Sequence, residues 1–348
     1  MVSGLRYVRD TNPSFKASGL ILQRFDHAPT SYSKRETPGI YCGELGNHDR
    51  SRRLHLDIKN VCTSRFSLLI IFRQETFHMR RLDGKVAFIT GAGAGIAKET
   101  AIAFAREGAK VAIAEINAEA GRIAMNEILA AGGDALFIET DVTQDDSVKH
   151  AIDATVAQFG RLDAMMNCAG GSVQEDLPVH QMDLAIWHQT IALNLLHPFL
   201  CCRHGIPHMI SSGGGSIINI SSHLGLMGSE KPAYAAAKGG LVSFTKTVAA
   251  QYVEFGIRAN AIGVGSVRTE RTIKRFENVD WLRAENQSPA ARARMAKQKM
   301  FPFSFGDPAD IAAIAVFLAS DESRMITGTT IAADGGRSSY IGVHLPAG

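Results

Sequence analysis

The chain has 348 residues, 45% of them hydrophobic and 20% charged, a composition typical of a globular protein with one large core or two modest ones. Its net charge of +3 arises in residues 1–78, which carry 12 Lys and Arg against 7 Asp and Glu, while the remainder carries 25 against 27. The remainder therefore lacks the basic field that attracts nucleic acid, and no run reaches the ~18 apolar residues that a membrane span needs.

Residues 1–78 show no sustained hydrophobic periodicity and mix Arg, Ser, His and Pro with scattered apolar residues. Three interpretations remain open: an irregular or disordered extension, a targeting segment, or upstream sequence from a misplaced start codon. The seven acidic residues argue against a transit peptide. We expect residues 79–348, which begin at Met79, to form the folded domain and residues 1–78 to be dispensable.

From Lys85 onward the sequence alternates between short apolar runs and helical patterns. Asn117 is a suitable N-cap for the second helix. The predicted strands are 86–90, 110–115, 135–139, 162–167, 216–220, 258–262 and 329–332, and the predicted helices are 96–107, 118–131, 144–159, 182–210, 231–255 and 308–319. This alternation predicts an α/β fold, a single-domain, Rossmann-type doubly wound parallel sheet of about seven strands. Ligands bind such sheets beyond the carboxyl ends of the strands.

A glycine-rich turn follows the first predicted strand and contains Gly91, Gly93 and Gly95. Glycines let the backbone approach a phosphate, and the following helix presents free N–H groups. The G-x-G-x-x-G fingerprint is not met, because Ile96 stands where its third glycine would be. Simple helix–strand packing is the alternative, but the position at the first βα junction favours a pyrophosphate site.

Two carboxylates follow the next strands. Glu115 ends the second strand, where it can accept hydrogen bonds from the adenosine ribose and repel a 2′-phosphate, which favours NAD over NADP. The alternative is a surface glutamate at a strand end. Asp141 follows the third strand and could hold the adenine amino group, or cap the helix that begins near Gln144.

The segment from Ser221 to Lys238 brings together two hydroxyls, a phenol and an amine. Tyr234 and Lys238 are four residues apart and share one face of a helix. An ammonium group beside the phenol is expected to favour the phenolate, so that Tyr234 can exchange a proton with an alcohol or carbonyl near neutral pH. Taken alone, the same spacing also fits a half-buried tyrosine beside a solvated lysine.

With these motifs in order, the chain resembles the classical short-chain dehydrogenase/reductases from about Leu82 to Gly336. The matching motifs are Thr90-Gly91-x-x-x-Gly95-Ile96, Asp141-Val142, Asn167-Cys168-Ala169-Gly170, Asn194, Ser222-x-x-Gly225, Tyr234, Lys238, Arg258-Ala259-Asn260, Gly265, Thr269, Ile326-Thr327-Gly328 and Asp334-Gly335-Gly336.

The resemblance implies a division of roles around a nicotinamide cofactor. Tyr234 would be the general acid/base, Lys238 would lower its pKa and bind the nicotinamide ribose, Ser222 would orient the substrate oxygen, and Asn194 would hold a water for a proton relay. The implied cofactor contacts are Gly91, Gly93, Gly95, Ile96, Glu115, Asp141, Val142, Asn167, Ala169, Gly170, Tyr234, Lys238, Val267 and Thr269.

The sequence departs from the family pattern at four positions that carry no catalytic group, which are Ala97, Cys168, His197 and Val264. The choice of serine is also open. Ser221 has the commoner spacing to Tyr234, but Ser222 precedes x-x-Gly225 as the family serine does. We choose Ser222 and infer a one-residue deletion after Gly228.

The resemblance places a substrate lid at about residues 268–305, where apolar side chains are interspersed with Arg and Lys. These apolar residues indicate either a pocket for a hydrophobic or cyclic substrate or ordinary lid packing. They include Trp281, Met295, Met300, Phe301, Phe303 and Phe305.

The leading hypothesis is an oxidoreductase that transfers a hydride between NAD(H), preferred over NADP(H), and a secondary alcohol or ketone. The alternative is a catalytically weak NAD(H)-binding sensor on the same scaffold. A methyltransferase with a glycine-rich turn leaves Tyr234 and Lys238 unexplained. The resemblance implies a homodimer or homotetramer. The odd number of cysteines without metal-ligand spacing predicts reduced thiols, a cytoplasmic protein and no metal. The charge distribution and the lack of a long apolar run predict no nucleic-acid or membrane partner.

Overall fold

The computed structural model describes residues 80–277, 303 and 305–339, within one compact unit that spans His78–Gly348. The predictions made for residues 1–78 and for lid residues 278–302 lie outside the described residues. Whether the extension is dispensable therefore stays a prediction.

Strands and helices alternate along the described residues, as the sequence predicts. The strands are β1 (Val86–Thr90), β2 (Lys110–Glu115), β3 (Asp134–Glu139), β4 (Ala164–Asn167), β5 (Gly215–Ser222), β6 (Ile257–Val264), β7 (Ser266–Val267), β8 (Phe305–Gly306) and β9 (Thr330–Ala333). The helices are α1 (Gly95–Arg106), α2 (Ala118–Ala130), α3 (Asp145–Phe159), α4 (Leu184–Ile191), α5 (His197–Ser211), α6 (Pro232–Tyr252), α7 (Glu270–Glu277) and α8 (Pro308–Ala319).

The main sheet of the described residues has seven parallel strands in the order β3-β2-β1-β4-β5-β6-β9. The predicted Rossmann-type doubly wound sheet is therefore confirmed. The strand order reverses between β1 and β4, and this switch point opens the crevice in which such sheets bind ligands. A separate pair, β7 and β8, lies at the start and end of the lid region.

Apolar side chains of the strands alternate between two cores, one on each face of the sheet. Ile89 belongs to the core that includes residues of α1, α2 and α8, whereas Phe88 belongs to the core that includes residues of α3, α5 and α6. Because both faces are covered, the strands are apolar runs rather than alternating ones.

Local sequence signals explain several element boundaries. The Asn117 side chain accepts hydrogen bonds from the N–H groups of Glu119 and Ala120 and so caps α2, as predicted. Asp310 accepts a hydrogen bond from the Asp307 N–H at 2.7 Å, where Pro308 begins α8.

One predicted helix is divided in the structure. The region 182–210 forms α4 and α5 with a π-helical segment, Ala192–Leu196, between them. Such segments widen a helix locally and are frequent at functional sites. Among the described residues, none of the helices is long and apolar enough to cross a membrane.

Candidate active site

Four predicted catalytic side chains converge at the carboxyl end of the sheet, beside the switch point. Ser222 ends β5, Tyr234 and Lys238 lie in the first two turns of α6, and Asn194 lies in the π-helical segment. A Cβ placed on Gly170 would lie 2.6 Å from Asn194 Oδ1 and 3.4 Å from Lys238 Nζ, so the turn after β4 meets both residues.

The Ser222 hydroxyl lies near enough to the Tyr234 phenol to lower its pKa, which places the two groups where one substrate oxygen can contact both. The Ser221 hydroxyl is instead engaged by backbone, because it donates to the Lys238 carbonyl at 2.9 Å. The geometry therefore favours Ser222 over Ser221 as the residue that contacts substrate.

Lys238 is 3% exposed, and its Nζ lies 5.8 Å from the Tyr234 ring centroid. The ammonium donates to the Ile220 carbonyl at 2.8 Å, which fixes it at the end of β5. Burial lowers the pKa of Lys238 to about 8, and the nearby Cys168 thiol opposes this shift. Desolvation penalises the charged form of a lysine, so Lys238 loses its proton at a lower pH than a surface lysine does.

The pKa of Tyr234 corrects one part of the sequence argument. Burial raises the pKa of Tyr234 above its ordinary value, while the hydrogen bond from Ser222 and the charge of Arg271 lower it. The expectation that Lys238 makes the phenol acidic is therefore wrong for this structure, in which the pKa of Tyr234 is raised and Arg271 is the cation that lowers it. Spacing on a helix identifies the neighbouring amine, but it does not measure how far burial disfavours the phenolate.

Asn194 is fully buried and is bonded to the backbone of the turn after β4. Its Oδ1 accepts from the Gly171 N–H at 2.9 Å, and its Nδ2 donates to the carbonyls of Gly171 at 3.1 Å and Thr190 at 3.0 Å. Asn194 thus positions one wall of the crevice. The water that the resemblance assigns to it stays a prediction.

Asp176 is a residue that the sequence analysis missed. Its buried carboxylate accepts hydrogen bonds from the N–H groups of Ala233 and Tyr234 at 3.1 and 3.0 Å, so it caps the first turn of α6 from a distant loop. A carboxylate at a helix N-terminus stabilises the helix dipole and satisfies unpaired amides. No local spacing marks Asp176, since it lies 58 residues before Tyr234 in the sequence.

The glycine turn joins β1 to α1 at the switch point. A Cβ on Gly91 would lie 2.9 Å from Ala169 Cα, and one on Gly93 would lie 2.9 Å from Ala120 Cβ. Packing alone therefore requires these two glycines. The helix that follows has no side-chain hydrogen bond at its N-cap, Ala94, so its first N–H groups fit a pyrophosphate. Gly95 and Ile96 form the first turn of that helix.

Glu115 is more than a surface glutamate at a strand end. Its half-buried carboxylate accepts hydrogen bonds from the Gly93 N–H at 3.1 Å and from the Asn117 N–H at 3.0 Å. The carboxylate therefore links the glycine turn to the start of α2. Each oxygen keeps further acceptor capacity, so the arrangement fits the ribose hydroxyls of a dinucleotide.

Asp141 and Val142 lie after β3, as the adenine-contact prediction requires. Asp141 Oδ1 accepts hydrogen bonds from the N–H and the hydroxyl of Thr143, while Gln144 is the N-cap residue of α3. Asp141 therefore forms a local turn and is not itself the cap. Val142 is buried in the core.

Thr90 joins the end of β1 to the turn after β4. Its hydroxyl accepts hydrogen bonds from the N–H groups of Cys168 at 2.9 Å and Ala169 at 3.2 Å. The Asn167 side chain is held within the sheet. It is 1% exposed and donates to Asn219 at 2.8 Å, so its amide lies within the sheet, and its contact with cofactor stays a prediction.

The start of the lid closes against the glycine turn. A Cβ on Gly95 would lie 3.2 Å from Thr269 Cγ2, so two predicted cofactor contacts from opposite ends of the domain meet. Val267, in β7, is buried. Of the apolar lid residues, Phe303 is 78% exposed, whereas Trp281, Met295, Met300 and Phe301 lie outside the described residues.

Comparison with known proteins agrees with this geometry. A family model described as enoyl-(acyl carrier protein) reductase matches residues 91–338. A 2,5-dichloro-2,5-cyclohexadiene-1,4-diol dehydrogenase of Sphingobium indicum is 39% identical over 264 residues, which are 74% of this chain and 98% of that protein. A short-chain dehydrogenase/reductase of Aspergillus oryzae is 40% identical over 261 residues, which are 74% of this chain and 96% of that protein.

The solved structures that match describe the same fold. A putative short-chain alcohol dehydrogenase from Sinorhizobium meliloti superposes with a TM-score of 0.67 at 32% identity, covering 76% of this chain and 100% of that one. The chain belongs to the short-chain dehydrogenase/reductase family. Because this is a family of dehydrogenases and reductases, the chain is an oxidoreductase.

The four departures from the pattern of the short-chain dehydrogenase/reductases fit the fold. Ala97 and Val264 are buried. Cys168 carries a thiol whose pKa is raised by burial to about 12. His197 is fully buried at the end of the π-helical segment, and burial lowers its pKa to about 3, with the charge of Lys238 acting in the same direction.

Proposed function

We propose that this protein transfers a hydride between NAD(H) and a secondary alcohol or ketone, with Tyr234 as the general acid/base. The observation that carries the proposal is the convergence of Ser222, Tyr234 and Lys238 at the edge of the sheet that also holds the glycine turn. A phenol and a hydroxyl that lie close together can bind one alcohol or carbonyl oxygen between them.

The side chains divide the chemistry of the oxidising direction. Ser222 donates a hydrogen bond to the substrate oxygen, and Tyr234 as phenolate accepts the hydroxyl proton. A bound nicotinamide supplies the acceptor for the hydrogen that leaves carbon as hydride. The charge of Arg271 favours the phenolate, Lys238 lies 5.8 Å from the phenol ring, and Asn194 holds the turn that forms the wall of the crevice.

NAD(H) is the proposed cofactor because of Glu115. Its carboxylate ends β2, beside the glycine turn, where the ribose of the adenosine half binds in this fold. A carboxylate accepts hydrogen bonds from ribose hydroxyls and repels a 2′-phosphate, which supports NAD(H) over NADP(H).

A hydrophobic or cyclic substrate is proposed from the lid composition and from the relatives. The Sphingobium relative acts, by its name, on a cyclic diol. A cyclic secondary alcohol is the corresponding substrate class for this chain.

The test measures cofactor reduction and oxidation with a panel of cyclic and acyclic secondary alcohols and ketones. An enoyl thioester is included because of the description of the matching family model. The Tyr234→Phe variant is expected to lose turnover by at least about 100-fold while it still binds NADH. The matched control is Tyr252→Phe, at the far end of α6, which is expected to keep the activity of the unaltered protein. Tight NADH binding without turnover by the unaltered protein would favour the sensor alternative instead.

We also infer a homodimer or homotetramer. Phe199 of α5 is 44% exposed and packs against Phe244 of α6, so these two helices present apolar rings at the surface. Light scattering on the purified protein tests the inference, and a monomer at micromolar concentration would overturn it.

A further inference from the structure

Arg271 reaches across the mouth of the crevice from the first turn of α7. Its guanidinium donates to the Gly170 carbonyl at 3.1 Å and also to the Ser172 carbonyl. Both carbonyls belong to the segment after β4, whose other contacts are with Asn194 and Lys238. The guanidinium therefore lies on the wall of the candidate active site.

Gly171 provides the space that this arginine occupies. A Cβ on Gly171 would collide with the guanidinium, and its φ of +144° is one that other residues rarely adopt. The backbone of Gly171 is itself held by Asn194 in two hydrogen bonds. The position of Arg271 is thus built into the turn.

Arg271 forms no ion pair with a carboxylate among residues 80–274 and 305–339. Its hydrogen-bond partners there are carbonyl oxygens, which satisfy N–H groups without cancelling the charge. The buried carboxylate of Asp176 accepts from the amides of α6. Lys238 adds a second cation on the other side of Gly170. Two cationic side chains, those of Arg271 and Lys238, therefore lie at this turn beside Tyr234.

Two of the five N–H donors of a guanidinium are used by these carbonyls, which leaves others for a ligand. The planar fork matches a carboxylate, to which arginine binds through two parallel hydrogen bonds. We propose that Arg271 binds a carboxylate on the substrate, so that the substrate is a secondary hydroxy acid or the corresponding keto acid. This inference rests on the proposed function and narrows its substrate class.

The first experiment measures binding and needs no turnover. Cyclohexanecarboxylate and its neutral analogue cyclohexanecarboxamide are titrated by calorimetry into the full-length protein saturated with NAD. The carboxylate is expected to bind about 10- to 100-fold more tightly, as hydrogen bonds to charged groups contribute that much. Arg271→Gln is expected to remove the difference, whereas Arg271→Lys keeps part of it. Equal affinity of the unaltered protein for the two compounds would overturn the proposal, whether or not any alcohol is oxidised.

The second experiment uses 3-hydroxycyclohexanecarboxylate and its methyl ester as paired substrates. Arg271→Gln is expected to lower the ratio of kcat/KM for the acid to kcat/KM for the ester about 10- to 100-fold, because any effect of its charge on Tyr234 acts on both substrates alike. The matched control is Arg268→Gln, three residues earlier, whose side chain pairs with Asp307 at 3.0 Å. An equal loss for acid and ester contradicts the proposal. A loss of NADH affinity in Arg271→Gln would assign the arginine to a cofactor phosphate instead.

Discussion

Ser221 donates a hydrogen bond to the carbonyl of Lys238 at 2.9 Å, which joins the end of β5 to α6 one turn beyond Tyr234. The hydroxyl of its neighbour, Ser222, accepts from the Leu224 N–H at 3.2 Å and lowers the pKa of the nearby Tyr234 phenol. Two adjacent serines thus meet the same helix, one at its backbone and one at its phenol.

Alanine substitutions should separate these two serines. Ser222→Ala is expected to lower kcat at least about 100-fold with little loss of stability, because it removes a group that contacts the substrate oxygen. Ser221→Ala is expected to lower the free energy of unfolding by about 1 kcal/mol and to keep most activity. Urea unfolding and initial rates measured on both variants check this. The reverse pattern would make Ser221 the reactive serine.

Asp176 is expected to be a residue on which α6 depends for stability. Asp176→Ala removes the acceptor of two buried amides and should lower the free energy of unfolding by about 1 to 2 kcal/mol. Asp176→Asn keeps one oxygen acceptor and should restore part of that loss. Thermal unfolding measures both, with the exposed Asp183→Ala, which removes the cap of α4, as a comparison. Equal melting temperatures for Asp176→Ala and the unaltered protein would contradict the assignment.

Lys238 is expected to lower the stability of the fold although turnover depends on it. Its folded pKa is about 8 against an ordinary 10.5, so between these values the unfolded chain binds more protons and stability rises with pH. Below that pH range, burial of the charged ammonium lowers the free energy of unfolding by about 3 kcal/mol, the full equivalent of the pKa shift. Lys238→Met should therefore abolish turnover and raise the free energy of unfolding at pH 7 by about 2 kcal/mol, after loss of the Ile220 hydrogen bond. The gain should shrink near pH 10, and a less stable variant at pH 7 would refute this prediction.

His197 is expected to make the fold sensitive to acid. Its folded pKa is lowered to about 3 from an ordinary 6.5. Its contribution to the free energy of unfolding is therefore complete above pH 6.5 and is lost as the pH falls toward the folded pKa. As the pH falls from about 6.5 to about 5, this histidine should lower the free energy of unfolding of the unaltered protein by about 2 kcal/mol. His197→Gln should flatten this part of the stability profile, whereas the exposed control His150→Gln should not. Parallel profiles for all three proteins would rule out the assignment.

Glu115 is expected to set the cofactor preference. Glu115→Ala combined with Ile116→Arg removes the repulsion and adds a phosphate partner at a position that is 63% exposed. The ratio of kcat/KM for NADP to that for NAD should rise about 10- to 100-fold. Glu115→Ala alone should also lower stability by about 1 kcal/mol, since Gly93 and Asn117 lose their acceptor. Glu119→Ala, in the first turn of α2, serves as the control, and an unchanged ratio in the double variant would exclude the role.

The sequence predicts the sheet because its signals are local. The apolar runs of β1 and β2 end where charged residues or glycines begin, and the predicted bounds 86–90, 110–115 and 308–319 coincide with the observed elements. Most other bounds differ by one or two residues, and strong signals such as Asn117 mark the correct cap. The motifs likewise place Ser222, Tyr234, Lys238 and Asn194 at one end of the sheet.

What the sequence does not predict depends on distant contacts. Nothing near Asp176 indicates that it caps α6, and nothing in 192–196 indicates a π-helical segment. The two-residue strands β7 and β8 are too short for a periodicity to be visible. The pKa of Tyr234 follows from burial, which is a property of the packed molecule and not of the spacing to Lys238.

The Thr90 hydroxyl, which holds the two amides after β4, ties the first strand of the domain to a turn that is 78 residues away in the chain. A chimera that takes β1 from one relative and β4 from another would draw the two sides of this contact from different parents. Exchange of segments between relatives is therefore expected to preserve the crevice only where the parent that supplies β1 also carries a hydroxyl at this position.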